Sequence, residues 1–435
     1  MAGLGGGGAV TRAAAALAAV VALARCGASG AAPGALEMWA LGREGEVVAE
    51  LAREFERENP GERVRVQQVP WTAAHEKLLT AFVGGATPDL AQVGNTWIPE
   101  FAELGALLEL SPYAARSAGI ARDEYFGGIW DTNVLDGRLF GVPWYVDTRL
   151  LFYRDDLLAR GGLARGPRTW DEWLAAARQL RQRMRPGEYP LLLPTDEWAQ
   201  VVILGLQSGA EMVHDGRRGA FRAPEFRRAF ELYVSLYRQG LAPVASNVQI
   251  ANLYQQFAEG TFAMYITGPW NLGEFRRRVP REALAHWATA PLPAPGDAGA
   301  YPGASLAGGS SLVVFRNSRA PERAWRFVEF LSRPEQQLRF YELTGDLPAR
   351  RAAWTRSGLA ADPHVRAFWE QLDAVRPVPQ IPEWEQVTSK IVLHAEAAIR
   401  GRSSIDEALA ALDRDVDRIL EKRRWVLEQR AGAAR

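Results

Sequence analysis

Two hydrophobic rhythms alternate along the chain. "ALEMWAL" (35–41) is a nearly unbroken apolar run of strand length. "EGEVVAELAREFERENPG" then sets Val47, Val48, Leu51 and Phe55 at helical spacing and stops at Asn59-Pro60-Gly61. "ERVRVQQV" returns to alternation, "WTAAHEKLLTAFVGG" to helix and "PDLAQVG" to strand. Strand, helix and strand within about thirty residues make a βαβ unit, which predicts a parallel sheet. The alternation continues to about residue 150.

From about 150 to 305 the pattern favours helix, in "TWDEWLAAARQLRQRM", "WAQVVILGLQSGA" and "APEFRRAFELYVSLYRQG". Thr169 with Glu172 predicts a capping box. "FAMYITGPWNLGEF" changes character midway: Phe262, Met264 and Ile266 alternate as in a strand, then Gly268-Pro269 turns the chain and Trp270 opens a helix. "APLPAPGDAGAYPGASLAGGS" (290–310) reads as a linker or long loop, and "SLVVF" as a strand. "APERAWRFVEFLSRPEQQLRFYELTG" predicts a helix broken at Pro334, and the rest is mostly helical. The pattern therefore predicts an α/β protein of two lobes, with 303–310 as one candidate crossing between them.

Length agrees, since 435 residues exceed one small core and fit two domains, or one threaded twice. Lys and Arg number 51 and Asp and Glu 51, so the net charge is zero, which argues against nucleic acid as a partner. At the amino end, Arg12 precedes an apolar stretch from Ala13 to Ala24 and then small residues. This is the layout of an export signal over 1–30, too short to span a bilayer, which needs about 20 apolar residues. Cys26 is the only cysteine, so no intramolecular disulfide forms. "ALARC" resembles the lipobox where bacterial lipoproteins are acylated, although Arg25 stands where a small residue is expected. Cleavage among the small residues after Cys26 is the alternative, leaving a free protein in the periplasm rather than one tethered at the cell surface.

Motifs for catalysis are sparse. The five histidines are scattered, "HEKLL" lacks the second His of a zincin, and no nucleophile elbow, P-loop or dinucleotide fingerprint occurs. No metal or cofactor is expected. Asp147 and the pair Asp196-Glu197 sit beside aromatics, which keeps a secreted carbohydrate-active enzyme as an alternative. The aromatics themselves are more informative. Of fifteen tryptophans, Trp71, Trp97, Trp144, Trp198, Trp270 and Trp384 fall at element ends among turn formers and polar residues. Such positions face the crevice at the carboxyl edge of an α/β sheet. There an indole can cover the C–H face of a sugar while neighbouring polar groups take its hydroxyls. Plugging a domain edge is the competing role.

Five segments in order, "ENPGERVRVQQVPW", "GGATPDLAQVGNTWIPEFAELGALLEL", "GRLFGVPWYVDTRLLFYRDDLL", "FAEGTFAMYITGPWNLGEF" and "GGSSLVVFRNSRAPERAWRFVEFLSRPEQQ", resemble the extracellular solute-binding proteins of sugar ABC importers, the maltose-binding-like group. The resemblance spans about 36–425. It implies a type II periplasmic-binding-protein fold, with an N-terminal lobe of 36–146 plus 310–346 and a C-terminal lobe of 147–309 plus 347–425. It further implies a monomer that takes a carbohydrate ligand, works with membrane permease subunits and has no catalytic residue. The ligand contacts it implies are Arg43, Glu44, Trp71, Asn95, Thr96 and Trp97 from the first lobe and Asp147 with Tyr145 at a crossing. Asp196, Trp198 and Trp270 would come from the second lobe, Gly308 and Gly309 through the backbone, and Arg350 with Arg351 as the spare. A binding protein for a non-sugar solute is the other alternative.

Overall fold

The computed structural model describes residues 34–296 and 301–433, so the export signal and Cys26 lie outside the described residues. The two main sheets use, in chain order, β1 (Leu36–Leu41), β2 (Val64–Val69), β3 (Leu90–Gly94), β4 (Val142–Val146), β5 (Leu150–Arg154), β6 (Tyr189–Leu192), β7 (Phe262–Thr267), β8 (Trp287–Ala290), β9 (Gly309–Val314) and β10 (Leu347–Pro348). The first sheet has the order β10-β4-β9-β3-β1-β2 and the second β8-β5-β7-β6.

β1 is parallel to β2 and β3, as the βαβ pattern predicts. The returning strand β9 is antiparallel to both β3 and β4, so the sheet is mixed. Helices Glu44–Glu58 and Pro321–Leu331 are brought together by Phe55, whose ring lies 4.9 Å from that of Phe327 and 5.4 Å from that of Phe330. Burying each such side chain contributes about 1.5–3 kcal/mol, so this seam holds the first lobe's layers together. The expected break at Pro334 falls between Pro321–Leu331 and Pro334–Thr344. Proline fits at the first helical position, where its missing N–H costs nothing.

Two features differ from the hydrophobic pattern. All six residues of β7 are buried, because the strand lies between β5 and β6 with Met264 and Ile266 in one apolar cluster and Tyr265 in another. At helix Trp170–Arg181 only half of the capping box forms. Glu172 N donates to Thr169 Oγ1 at 3.1 Å, but the Glu172 carboxylate accepts instead from Arg168 N and Arg165.

The chain passes from sheet to sheet at 147–149, between Val146 of β4 and Leu150 of β5. It returns through Ala307-Gly308 into β9 and leaves again after Pro348, two residues beyond the expected end of the first lobe's share. Among the described residues no helix is long and apolar enough to cross a membrane.

Candidate functional site

The carboxyl ends of β1, β2 and β3 lie side by side and each leads into a helical turn, so three loops present residues along one edge. Glu44 opens helix Glu44–Glu58, Trp71 opens helix Trp71–Val83, and Asn95–Trp97 is a single 3-10 turn. Trp71 Nε1 donates to Glu44 Oε1 at 3.3 Å, and its ring meets that of Trp97 edge-on at 5.9 Å. Gly42 makes this possible: its φ is +53°, and a Cβ there would sit 2.6 Å from Trp71 Cδ1.

Glu44 is nearly buried, at 9 % exposure, and is held from beneath. The Tyr145 hydroxyl donates to Glu44 Oε1 at 2.8 Å and itself accepts from Gln92 Nε2 and Ser310 Oγ, each at 3.0 Å. Burial, reinforced by the Glu44 charge, holds the Tyr145 phenol well above its ordinary range, so it stays a donor. Asn95 Nδ2 donates to Ala307 O at 2.7 Å, tying the β3 turn to the second crossing. Thr96 Oγ1 donates to Glu385 Oε1 at 2.8 Å, across to helix Trp384–Ile399 of the other lobe. Arg43 is exposed and donates to Leu343 O at 3.1 Å.

At the first crossing Asp147 Oδ1 accepts from Arg149 Nη1 at 2.7 Å, and the Arg149 guanidinium lies 4.4 Å from the centre of the Trp270 ring. Asp147 is partly open, its side chain 34 % exposed. Desolvation in the recess still pushes its carboxyl above the usual range against the pull of Arg149. Trp270 folds over Gly268 and is 38 % exposed. The two crossing segments interlock through glycine: a Cβ on Gly308 would meet Asp147 Oδ1 at 2.4 Å, and one on Gly309 (φ +146°) would meet Tyr145 O at 2.3 Å. Gly308 and Gly309 thus face the neighbouring segment. In the second lobe Asp196 is exposed and accepts from Asn247 N at 2.8 Å, while Trp198 is half-buried, edge-on to Trp384 at 6.0 Å.

Several expectations need correction. Arg350 is not at this site: it is 7 % exposed, donates to Ser332 O at 3.1 Å and pairs with Glu124 at 2.6 Å. Arg351, the spare, stacks over Phe126 and pairs with Asp373. Of the six tryptophans at element ends, Trp144 and Trp384 are core residues, with Trp144 packed 4.3 Å from Phe340. Trp144 lies within β4 rather than at its end, a distinction that "PWYVDT" does not display.

Two residues escaped the sequence reading. Arg149 had a signal in "DTR", since residues two apart on extended chain point the same way. Asp346 had none, standing in a turn after Gly345. Burial, then the charges of Glu44 and Asp147, push its carboxyl up to about 7, with Thr344 and Arg43 opposing. The site is thus rich in oxygen acceptors, with Arg43 and Arg149 as its cations. Among the described residues, two groups have metal-ligating spacing, Asp155 with Asp156 and His286, and Glu211 with His214 and Asp215. Neither includes a residue of the site.

The same architecture recurs among known proteins. The sugar-binding protein MalE of Xanthomonas citri superposes with a TM-score of 0.87 at 45 % identity, covering 91 % of this chain and 99 % of that one. A solute-binding protein of an ABC transporter from Thermotoga lettingae, bound with alpha-D-tagatose, gives 0.75 at 26 % identity, covering 89 % and 99 %. The maltodextrin-binding protein MdxE of Bacillus subtilis is 25 % identical over 392 residues, 87 % of this chain and 88 % of that one. Such proteins share a type II two-lobed fold, and the two sheets with their crossing segments reproduce it here. Residues 39–338 match the family model of the bacterial extracellular solute-binding proteins, and the chain belongs to that family.

Proposed function

We propose that the protein captures a mono- or oligosaccharide between its lobes and hands it to the permease subunits of an ABC importer. It acts as an exported monomer in the periplasm or at the cell surface, without catalysis. The N-terminal lobe comprises 36–146 plus 310–348 and the C-terminal lobe 147–309 plus 349–425. A sugar that touches both favours the arrangement in which they meet around it, and the permease reads that arrangement.

One observation carries the reading. Trp71 and Trp270, from different lobes, each leave more than a third of their surface exposed, at 37 % and 38 %; Trp71 bonds the acceptor Glu44, and Trp270 lies beside the Arg149 guanidinium that Asp147 holds. Indole faces with charged groups beside them suit sugar C–H faces and hydroxyls. A cleft for an anionic solute would need a surplus of cations, and here Arg149 is engaged by Asp147. The similarity to MalE and MdxE, whose names specify sugar and maltodextrin, supports the same class. A thermal-shift screen against mono-, di- and oligosaccharides tests it: a true ligand at 100 times its Kd adds about 2.7 kcal/mol. If no carbohydrate raises the melting temperature, the sugar reading fails. Turnover of a glycoside by the purified protein would restore the enzyme alternative.

A further inference from the structure

The seam where the lobes meet beside the binding turn contains a group of charges that ligand binding does not require. Glu385, in the first turn of helix Trp384–Ile399, accepts from Thr96 Oγ1 at 2.8 Å. On the first-lobe side of the same turn, the His75 ring lies edge-on to Trp97 at 5.1 Å and places Nε2 2.6 Å from Glu100 Oε2. We propose that Glu385 is a positioning residue that fixes the second lobe on the Asn95–Trp97 turn, and that His75 makes this grip proton-dependent; the proposal rests on the two-lobed binding reading above.

The charges around His75 set the sign. Its own helix supplies Glu76 and Lys77, and Lys77 is turned over Trp39 at 4.5 Å. Helix Ile98–Glu103 supplies Glu100 and Glu103. The second lobe brings Glu383 and Glu385, and the carboxyl-terminal helix Glu421–Ala433 brings Lys422 and Arg423. Arg423 is directed to Glu103 at 3.3 Å and Glu383 at 3.9 Å. The carboxylates that act on the imidazole are Glu100, Glu385 and Glu76. Its pKa is raised, first by the bond to Glu100, against burial, with Glu385 and Glu76 adding.

Glu100 belongs to the same lobe as His75 and stays with it when the lobes part. Glu385 is near His75 only in the arrangement seen here. Protonating His75 therefore stabilises this arrangement. Losing the proton removes the positive charge on the first lobe that draws Glu385. The His75 side chain is 26 % exposed and that of Glu100 23 %, so the proton between them exchanges with solvent.

The test measures the distance between lobes without ligand. In the full chain carrying Cys26→Ser, spin labels are placed at Val83→Cys in the first lobe (87 % exposed) and Leu393→Cys in the second (50 % exposed). Distance distributions are recorded at about pH 6 and about pH 8, on either side of an ordinary histidine. The arrangement seen here should be favoured about three-fold more at the lower pH, within the range of a partly exposed ion pair. His75→Gln and Glu385→Gln should each abolish that difference; Glu385→Gln keeps an acceptor for Thr96, so a purely structural contact would leave the pH response unchanged. Identical distributions at the two pH values, or a response surviving in either folded variant, overturns the proposal. The sugar screen fails independently: sugars that bind while the distance ignores pH sink only this proposal. A pH response with no sugar bound sinks only the ligand class.

Discussion

Asp346 offers the sharpest test of the site's electrostatics. Its carboxyl sits with Glu44 and Asp147 in a recess where Arg43 is the opposing cation, and it titrates at about 7 instead of 3.8. A group whose pKa is raised on folding contributes its stability below the unfolded value and loses it as pH rises through the folded one. The loss here runs from about pH 4 to about pH 7. At about 1.4 kcal/mol per pH unit the gap sets a ceiling of about 4 kcal/mol on the cost of an ionised Asp346. Solvent reaches the half-buried side chain and screens it, which brings the expected cost to about 1–2 kcal/mol. Asp346→Asn keeps the shape and removes the charge. Urea unfolding of ligand-free protein should show the variant more stable than the parent by about 1–2 kcal/mol at pH 8, and by less at pH 5. An equal change at both pH values, or a loss of stability at pH 8, would refute the assigned cause. In that event the carboxylate is well solvated or finds a cation on the molecule.

Three further substitutions probe the site and its limits. Trp270→Ala should weaken sugar binding by at least about 1 kcal/mol, beyond a stacking term alone, while the melting temperature of the ligand-free protein changes little; titration calorimetry and a melt check both. Gly42→Ala forces a Cβ against Trp71 at positive φ and should cost about 1–3 kcal/mol, with a shift in tryptophan emission as that indole moves. Arg350→Met removes the partner of Glu124, which is 41 % exposed and regains water, so unfolding free energy should fall by about 1–3 kcal/mol with sugar affinity unchanged. An affinity loss without a stability loss would return Arg350 to the binding site.

Much of the fold was legible because local rules governed it. The βαβ start, the helix ending at Asn59 and the break at Pro334 each depend on periodicity and on residues that cannot continue an element. The direction of β9 was hidden, since an apolar run shows that a strand exists and not which neighbour it pairs with. Among the site residues, Glu44, Trp71 and Asn95 to Trp97 were readable as residues that follow β1, β2 and β3. Arg350 misled because "GDLPARR" carries two arginines in a turn, and only the fold reveals that both are committed to first-lobe neighbours and to Asp373. Asp346 and Glu385 were invisible because their surroundings come from segments hundreds of positions away, such as Thr96 for Glu385.

The interlocked glycines of the crossing bear on how this protein could be turned into a reporter. Gly308 and Gly309 leave no room beside Asp147 and Tyr145, so a fluorescent domain spliced there would pry the two segments apart and lose the motion it was meant to report. Turns such as Gly85 and Gly240, where nothing lies within 4 Å of a Cβ, can take an insertion. Gly85 closes the helix that begins at Trp71, and Gly240 follows Pro224–Arg238 in the second lobe, so each is attached to a rigid element of its own lobe. A matched pair of fluorophores at those two turns would convert sugar capture into an optical signal while leaving the crossing untouched.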